Sequence, residues 1–389
     1  MAIIPYGRQD ISEADIQAVV DVLRSDYLTQ GPVVPAFEKH LADYCGAQHA
    51  IAVNSATSAL HIACLALGVV AGDWVWTAPI TFVASANCAL YCGAQVDFVD
   101  IDPRTYNISV QRLAEKLAEA ELTGKLPKVV IPVHMSGQPG DMAGIHALSQ
   151  QYGFKIIEDA SHAIGARYKG EPIGNCRHSD ITIFSFHPVK IITAGEGGMA
   201  LTNDSHLAKR MKLLRSHGIT SDASDMQPRP IDEIWNYQQI DLGFNYRMTD
   251  IHAALGLSQM RQLDEFVVRR HDIAKRYDLF LSDLPVIIPW QHKDSYSSFH
   301  LYLIRLKLTE INRTQREVFD ALRAAGILVN LHYIPVYRQP YFERLGFVQC
   351  YCPEAEQYFK ETISLPIYPG LTEAQQDRVV IELREALGI

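Results

Sequence analysis

From about residue 50 onward, short apolar runs alternate with segments of helical periodicity. Residues 50–53, 74–77, 95–99, 129–133, 155–157, 181–186 and 199–202 read as strands. Between them, residues 57–67, 82–91, 110–121 and 142–152 read as helices; Leu60, Cys64 and Leu67 share one face of the first, which Gly68 stops. Strand and helix in turn predict right-handed crossovers and a mostly parallel sheet. Unbroken runs such as Val129-Val130-Ile131 fit strands covered on both faces. Before this region, Ser12-Glu13-Ala14-Asp15 has the form of a capping box, and Ile16, Val19, Val20 and Leu23 fall on one helical face. A turn-rich loop over 25–32 leads to a second helix over 35–44. After about residue 250 the rhythm changes. A long helical pattern covers 249–281, followed by a strand-like run over 300–308, a helix over 313–325, the stretch 327–333 and a final helix over 373–387. The expected fold class is α/β. A large domain over 12–250 carries a mixed, mostly parallel sheet, and a smaller α/β domain over 251–389 takes up the segment 1–11.

Charge narrows the partners. Thirty-five Lys and Arg against 44 Asp and Glu leave a net charge of −9 over 389 residues. Such a balance gives no broad positive field for nucleic acid or an anionic membrane. Any bound phosphate must therefore be held by local donors. No run of about 18 apolar residues occurs, so no membrane-spanning helix is expected. The opening MAIIPYGRQD lacks the charged and apolar regions of a secretory signal. Seven scattered cysteines show no zinc spacing; they read as reduced thiols of a cytoplasmic protein, with no metal site.

In open α/β sheets, ligands bind beyond the carboxyl ends of the strands. Three segments there carry candidate chemistry. Asn54-Ser55-Ala56-Thr57-Ser58 joins a strand to a helix start. It is either a plain N-cap or an anion site made of backbone N–H groups and the helix dipole. Glu158-Asp159-Ala160-Ser161-His162 ends an apolar strand with carboxylates, which are costly there unless paired. Asp159 is either a helix cap or the partner of a pyridinium nitrogen. Phe184-Ser185-Phe186-His187-Pro188-Val189-Lys190 precedes Ala194-Gly195-Glu196-Gly197-Gly198. A lysine in an apolar setting loses pKa and becomes a nucleophile, and the glycines allow backbone to approach a ligand. The nucleotide P-loop order G-x-x-x-x-G-K-[ST] is absent. An anion-binding turn, then Asp, then Ser-x-x-x-x-Lys, then a Gly-rich loop is the layout of pyridoxal 5′-phosphate (PLP) enzymes of the type I aspartate aminotransferase fold.

The chain resembles the sugar-nucleotide aminotransferases of the DegT/DnrJ/EryC1/StrS family over nearly its whole length. The resemblance is carried by Leu28-Thr29-Gln30-Gly31-Pro32, Asn54-Ser55-Ala56-Thr57-Ser58-Ala59-Leu60, Glu158-Asp159-Ala160-Ser161-His162-Ala163, Phe184-Ser185-Phe186-His187 and Gly243-Phe244-Asn245-Tyr246-Arg247-Met248. Within the family, residues 76–87 and Phe186-His187-Pro188-Val189-Lys190 are similar to the pseudaminic acid subgroup, which aminates C4 of a UDP-linked 2-acetamido-2,6-dideoxy-hexos-4-ulose with L-glutamate as donor. The resemblance implies that Lys190 holds the cofactor aldehyde as a Schiff base and shuttles the proton, and that Asp159 pairs with the ring nitrogen. It implies that Phe82 stacks on the ring and that Ala56, Thr57 and Ser185 hold the phosphate. Asn245 would reach the phosphate of the neighbouring subunit in a homodimer. Tyr6, the loop Asp26-Tyr27-Leu28-Thr29 and His332-Tyr333 match positions near the sugar nucleotide. Many members have Gln where this chain has His162, which would meet the 3′ oxygen of the cofactor. The related dehydratases have His in place of the lysine, whereas this chain has Lys190. The other readings are an aminotransferase for another 4-keto-6-deoxy nucleotide sugar, and a PLP-binding regulator or dehydratase that transfers no nitrogen. His187 is either catalytic or a strand-end cap, and Arg247 either a substrate contact or part of an intersubunit ion pair.

Overall fold

The computed structural model describes residues 3–228, 233 and 235–389. Of the segment 1–11, residues 1 and 2 therefore lie outside the described residues. The principal sheet is built from β1 (His49–Val53), β2 (Trp74–Thr77), β3 (Gln95–Phe98), β4 (Val129–Ile131), β5 (Lys155–Asp159), β6 (Ile181–Ser185) and β7 (Gly198–Thr202). Its strand order is β1-β7-β6-β5-β4-β2-β3. Only β7 runs against its neighbours, so the carboxyl ends of the other six open on one edge. Nearly every residue of β1, β4, β6 and β7 is buried, because helices cover both faces.

Register on this edge positions the site. Gly198 opens β7 opposite Val53 on one side and Ser185 on the other, which brings the end of β6 beside the turn that leaves β1. A Cβ on Gly198 would lie 2.4 Å from the amide nitrogen of Ala56, so only glycine fits. The close approach expected of this glycine-rich stretch is, at Gly198, an approach to the start of a helix of the chain itself.

Helices α1 (Glu13–Leu23), α2 (Val33–Cys45), α3 (Ala56–Ala66), α4 (Ala84–Tyr91), α5 (Val110–Thr123) and α6 (Met142–Tyr152) follow the expected order. The capping box forms: Ser12 Oγ accepts from the Asp15 amide, and the Asp15 carboxylate accepts from the Ser12 amide at 2.9 Å. The buried face of α1 is turned by about 100°, one residue, from the apolar stripe, and Val19 and Val20 are half-buried. Ile16 and Leu23 are 46% and 55% exposed, whereas Asp15 and Val22 are buried. Asp15 is drawn inward by Gln259, whose side-chain nitrogen donates to it at 2.7 Å. Periodicity missed α7 (Ser205–Arg215), where Lys209, Arg210 and Lys212 interrupt a buried set of Leu207, Ala208, Met211 and Leu214. The expected long helix over 249–281 is α8 (Asp250–Gln259) and α9 (Leu263–Leu281), separated by a tight turn over Met260–Gln262.

Buried apolar side chains form two clusters. One surrounds the principal sheet. The other joins Ile4 to residues of α9 and to an antiparallel sheet of β8 (Val286–Ile287), β9 (Tyr302–Leu306) and β10 (Thr362–Leu365), with β9 in the centre. Ile4 arrives there because Ile4–Pro5 pairs in parallel with Ile327–Leu328.

Behind the site edge, Glu158 is buried against His134, with Nε2 2.8 Å from the carboxylate. Gly140 donates its amide to His134 Nδ1 at 3.1 Å, so Nε2 carries the proton given to Glu158. Burial pushes the Glu158 carboxyl upward, but hydrogen bonding, from His134 foremost, outweighs it and holds the pKa below the ordinary value. His134→Ala strands this buried carboxylate and is expected to cost about 3–5 kcal/mol in urea unfolding.

Candidate active site

The carboxyl ends of β1, β5 and β6 border a cavity of about 900 Å³. Ten of the residues singled out from sequence line it: Tyr6, Ala56, Thr57, Phe82, Asp159, His162, Ser185, Lys190, His332 and Tyr333. Each arrives from a different local cause. Ser55 caps α3 through its hydroxyl, which accepts from the Ser58 amide, so the amides of Ala56 and Thr57 at the helix start have no intrahelical acceptor. Ser185 closes β6 beside them through the register set by Gly198. Phe82 lies on the turn before α4, and the helix begins two residues later than periodicity predicted. Its ring is 58% exposed and sits 6.4 Å from that of Tyr333.

Asp159 terminates β5, two residues beyond the expected strand end. Its Oδ2 accepts from Ser85 Oγ at 2.6 Å and its Oδ1 from the Ser161 amide at 3.1 Å. No helix starts after it, so it is no helix cap, and both oxygens are oriented. Lys190 lies on the loop after β6, partly open to the cavity and crowded by protein. Desolvation lowers its pKa to about 8, against the opposing pull of Asp159. The free amine thus becomes abundant well below the usual lysine range. The rate at which apo protein takes up PLP should rise as pH climbs through about 8 and level off above it, as followed by visible absorbance.

A histidine group stands on the far wall. His162 Nε2 lies 3.1 Å from the Tyr333 hydroxyl, whereas its buried Nδ1 has no partner among the described residues. The His300 ring lies 4.4 Å away, its Nδ1 likewise unpartnered. Burial first, then the charges of Lys190 and His332, hold His162 well below the ordinary histidine pKa, and burial does the same to His300. His332 falls to about 3 through burial and Lys190. All three rings are uncharged at neutral pH. Burial foremost, with Asp159 and Tyr6 adding, raises the Tyr333 phenol above its usual range.

Five residues singled out from sequence stand apart from this cavity within the chain. Asp26, Tyr27, Leu28 and Thr29 are exposed, with Leu28 and Thr29 tied to Asp250 and Thr249. Asn245 is exposed, and its carbonyl accepts from the side chain of Asn54, a cavity residue, at 3.4 Å. Sequence reasoning missed Ser85, Thr81, His300 and Asn330. Thr81 and Ser85 stand four apart, but a hydroxyl pair across the start of a small-residue helix carries no chemical signal until the strand it faces is known.

These features fit PLP. A desolvated amine and an anchored carboxylate share one cavity with an exposed aromatic ring, a helix start beside a serine hydroxyl, and an unpaired buried imidazole nitrogen. The model of the DegT/DnrJ/EryC1/StrS aminotransferase family matches residues 9–384. The chain belongs to that family. Among its relatives, the spore coat polysaccharide biosynthesis protein SpsC of Bacillus subtilis is 38% identical over 98% of this chain and 96% of its own. The UDP-4-amino-4,6-dideoxy-N-acetyl-β-L-altrosamine transaminase of Campylobacter jejuni is also 38% identical, over 94% of this chain and 92% of its own. Helicobacter pylori PseC, an aminotransferase involved in the biosynthesis of pseudoaminic acid, superposes with a TM-score of 0.89 at 29% identity, covering 99% of both chains. Spr1654 of Streptococcus pneumoniae in its PLP-form superposes at 0.88 and 29% identity, over 99% of this chain and 99% of that one. This DegT-family member is a PLP-dependent sugar aminotransferase of the aspartate aminotransferase fold.

Proposed function

We propose that the enzyme moves the amino group of L-glutamate to C4 of a UDP-linked 2-acetamido-2,6-dideoxy-hexos-4-ulose, giving UDP-4-amino-4,6-dideoxy-N-acetyl-altrosamine for pseudaminic acid biosynthesis. The observation that carries the chemistry is the meeting of Lys190, its pKa lowered to about 8, and the doubly anchored Asp159 on one cavity. The likeness to the altrosamine transaminase and to PseC supports the choice of sugar.

PLP, when bound, supplies the electron sink that lets a carbon bearing nitrogen lose its proton. The rest falls to the chain. Amides of Ala56 and Thr57 and the hydroxyl of Ser185 bind the phosphate, and Phe82 covers the ring and excludes water. Asp159 holds a proton on the ring nitrogen. Lys190 Nζ would hold the cofactor covalently until the donor amine displaces it and, once free, would take the proton from glutamate Cα and deliver one to sugar C4; a positioned base of this kind contributes about 10²–10⁴-fold. The face it reaches sets the configuration of the new amine. Uncharged His162 offers Nδ1 to the 3′ oxygen without adding positive charge beside Lys190. Tyr6, His332 and Tyr333 line the side assigned to the sugar nucleotide, and about 900 Å³ fits a small dicarboxylate or a bulky nucleotide sugar in turn.

The deciding experiment supplies glutamate and UDP-4-keto sugars of both C5 configurations and assigns the amino sugar by NMR. Amination of the altrosamine precursor supports the reading; inertness toward it, with another keto sugar aminated, overturns it. We also propose a cytoplasmic homodimer, in which Asn245 and the loop 26–29 serve the partner's cavity. The exposed Ile16, Leu23, Tyr27 and Leu28 support this. Light scattering should then return twice 43.6 kDa.

A further inference from the structure

We propose that Ser85, its hydroxyl aimed by Thr81, is a positioning residue that fixes Asp159 for the cofactor. The inference rests on the reading of Asp159 as the partner of the ring nitrogen. Ser85 is fully buried, and its Oγ lies 2.6 Å from Asp159 Oδ2. A second hydroxyl, Thr81 Oγ1, lies 2.9 Å from Ser85 Oγ. A carboxylate accepts and does not donate, and a serine hydroxyl has one proton. Ser85 therefore donates to Asp159 and accepts from Thr81, which gives the chain Thr81 to Ser85 to Asp159 a single direction. Hydrogen bonds to an ionised acceptor are among the shorter and stronger ones, as this distance reflects.

The hydroxyl has been diverted from its usual uses. Ser85 sits in the first turn of α4, whose N-cap position, Val83, offers no side-chain cap. Serine near a helix start commonly bonds local backbone. Here the side chain reaches across to another element, and Asp159 lies 74 positions away in sequence. The Ser161 amide holds the other carboxylate oxygen at 3.1 Å, so Ser85 and Ser161 grip the group from both sides and stop it rotating. The same turn carries Phe82 between Thr81 and Ser85, so the segment that lays an aromatic ring on the cavity also aims the carboxylate within it.

The test compares Ser85→Ala, Thr81→Val and Asp159→Asn with the parent, all as apo protein titrated with PLP. It reads the dissociation constant by fluorescence, the visible band of the loaded protein, and the thermal midpoint of the apo form. Ser85→Ala should bind PLP about 10–100-fold more weakly, the range for losing a hydrogen bond to a charged group, with a shifted band that a loss of stability alone would not produce. Thr81→Val should move affinity and band the same way by less. If Ser85→Ala binds PLP as the parent does while Asp159→Asn does not, the positioning role is overturned and the Asp159 reading stands. If Asp159→Asn itself binds and absorbs like the parent, the underlying reading falls. Should Ser85→Ala fail to fold, Thr81→Val decides: parent-like affinity and band overturn the proposal, and a weaker, shifted complex supports it.

Discussion

Lys190→Ala is expected to reduce amino-sugar formation by about 10⁴-fold or more, the upper end for loss of a positioned proton carrier, because the covalent anchor goes with it. Lys190 is the lysine that lines the cavity, and Asp159 is the acid whose charge acts on it. Steady-state assays with glutamate and the 4-keto sugar measure the first loss. Borohydride trapping followed by peptide mass spectrometry measures the second: the cofactor's mass should appear on the Lys190 peptide of the parent and vanish in the variant. Parent-like turnover by Lys190→Ala would remove the amine from the mechanism.

Asp159→Asn should lower turnover by about 10²–10³-fold, the usual effect of deleting one preorganised electrostatic group. The amide keeps the shape but has one accepting oxygen, so with the charge goes one of the two anchors, that from Ser85 or that from the Ser161 amide. A second readout carries a definite sign. The Asp159 charge raises the Lys190 pKa, opposing burial. Without it, burial acts alone, so the pH at which PLP uptake levels off should fall below about 8. An unchanged midpoint would mean that the two groups are not electrostatically coupled.

Much of the sheet was legible because strand signals are local. Trp74–Thr77, a short run bounded by turn residues, is found at its predicted bounds, and the other six strands of the principal sheet differ by one or two residues at one end. The helix Met142–Tyr152 also matches, ended by Gly153 in the left-handed region. α1 shows where this stops. Its apolar residues fall on one helical face, yet the buried face is turned by one residue toward Asp15, which accepts from Gln259, 244 positions away. A hydrophobic pattern states which side chains gain by leaving water and leaves open which surface will receive them.

The site divides in the same way. Order and residue type were enough to mark Asp159, Ser185 and Lys190, since an acid, a hydroxyl and an amine at strand ends are a chemical statement in any fold. They did not reveal Thr81, Ser85 or His300, whose groups gain meaning only from what faces them.

By itself, then, the sequence determined an alternating α/β chain with the reactive side chains of a PLP enzyme in the family's order, because side-chain chemistry and short-range periodicity are written residue by residue. Tertiary structure decided that Val53, Gly198 and Ser185 stand abreast, that protein crowds Lys190 enough to lower its pKa, and that a hydroxyl on α4, met by a second from the turn before it, reaches Asp159. Those are consequences of long-range pairing and desolvation, which depend on distances between residues far apart in the chain.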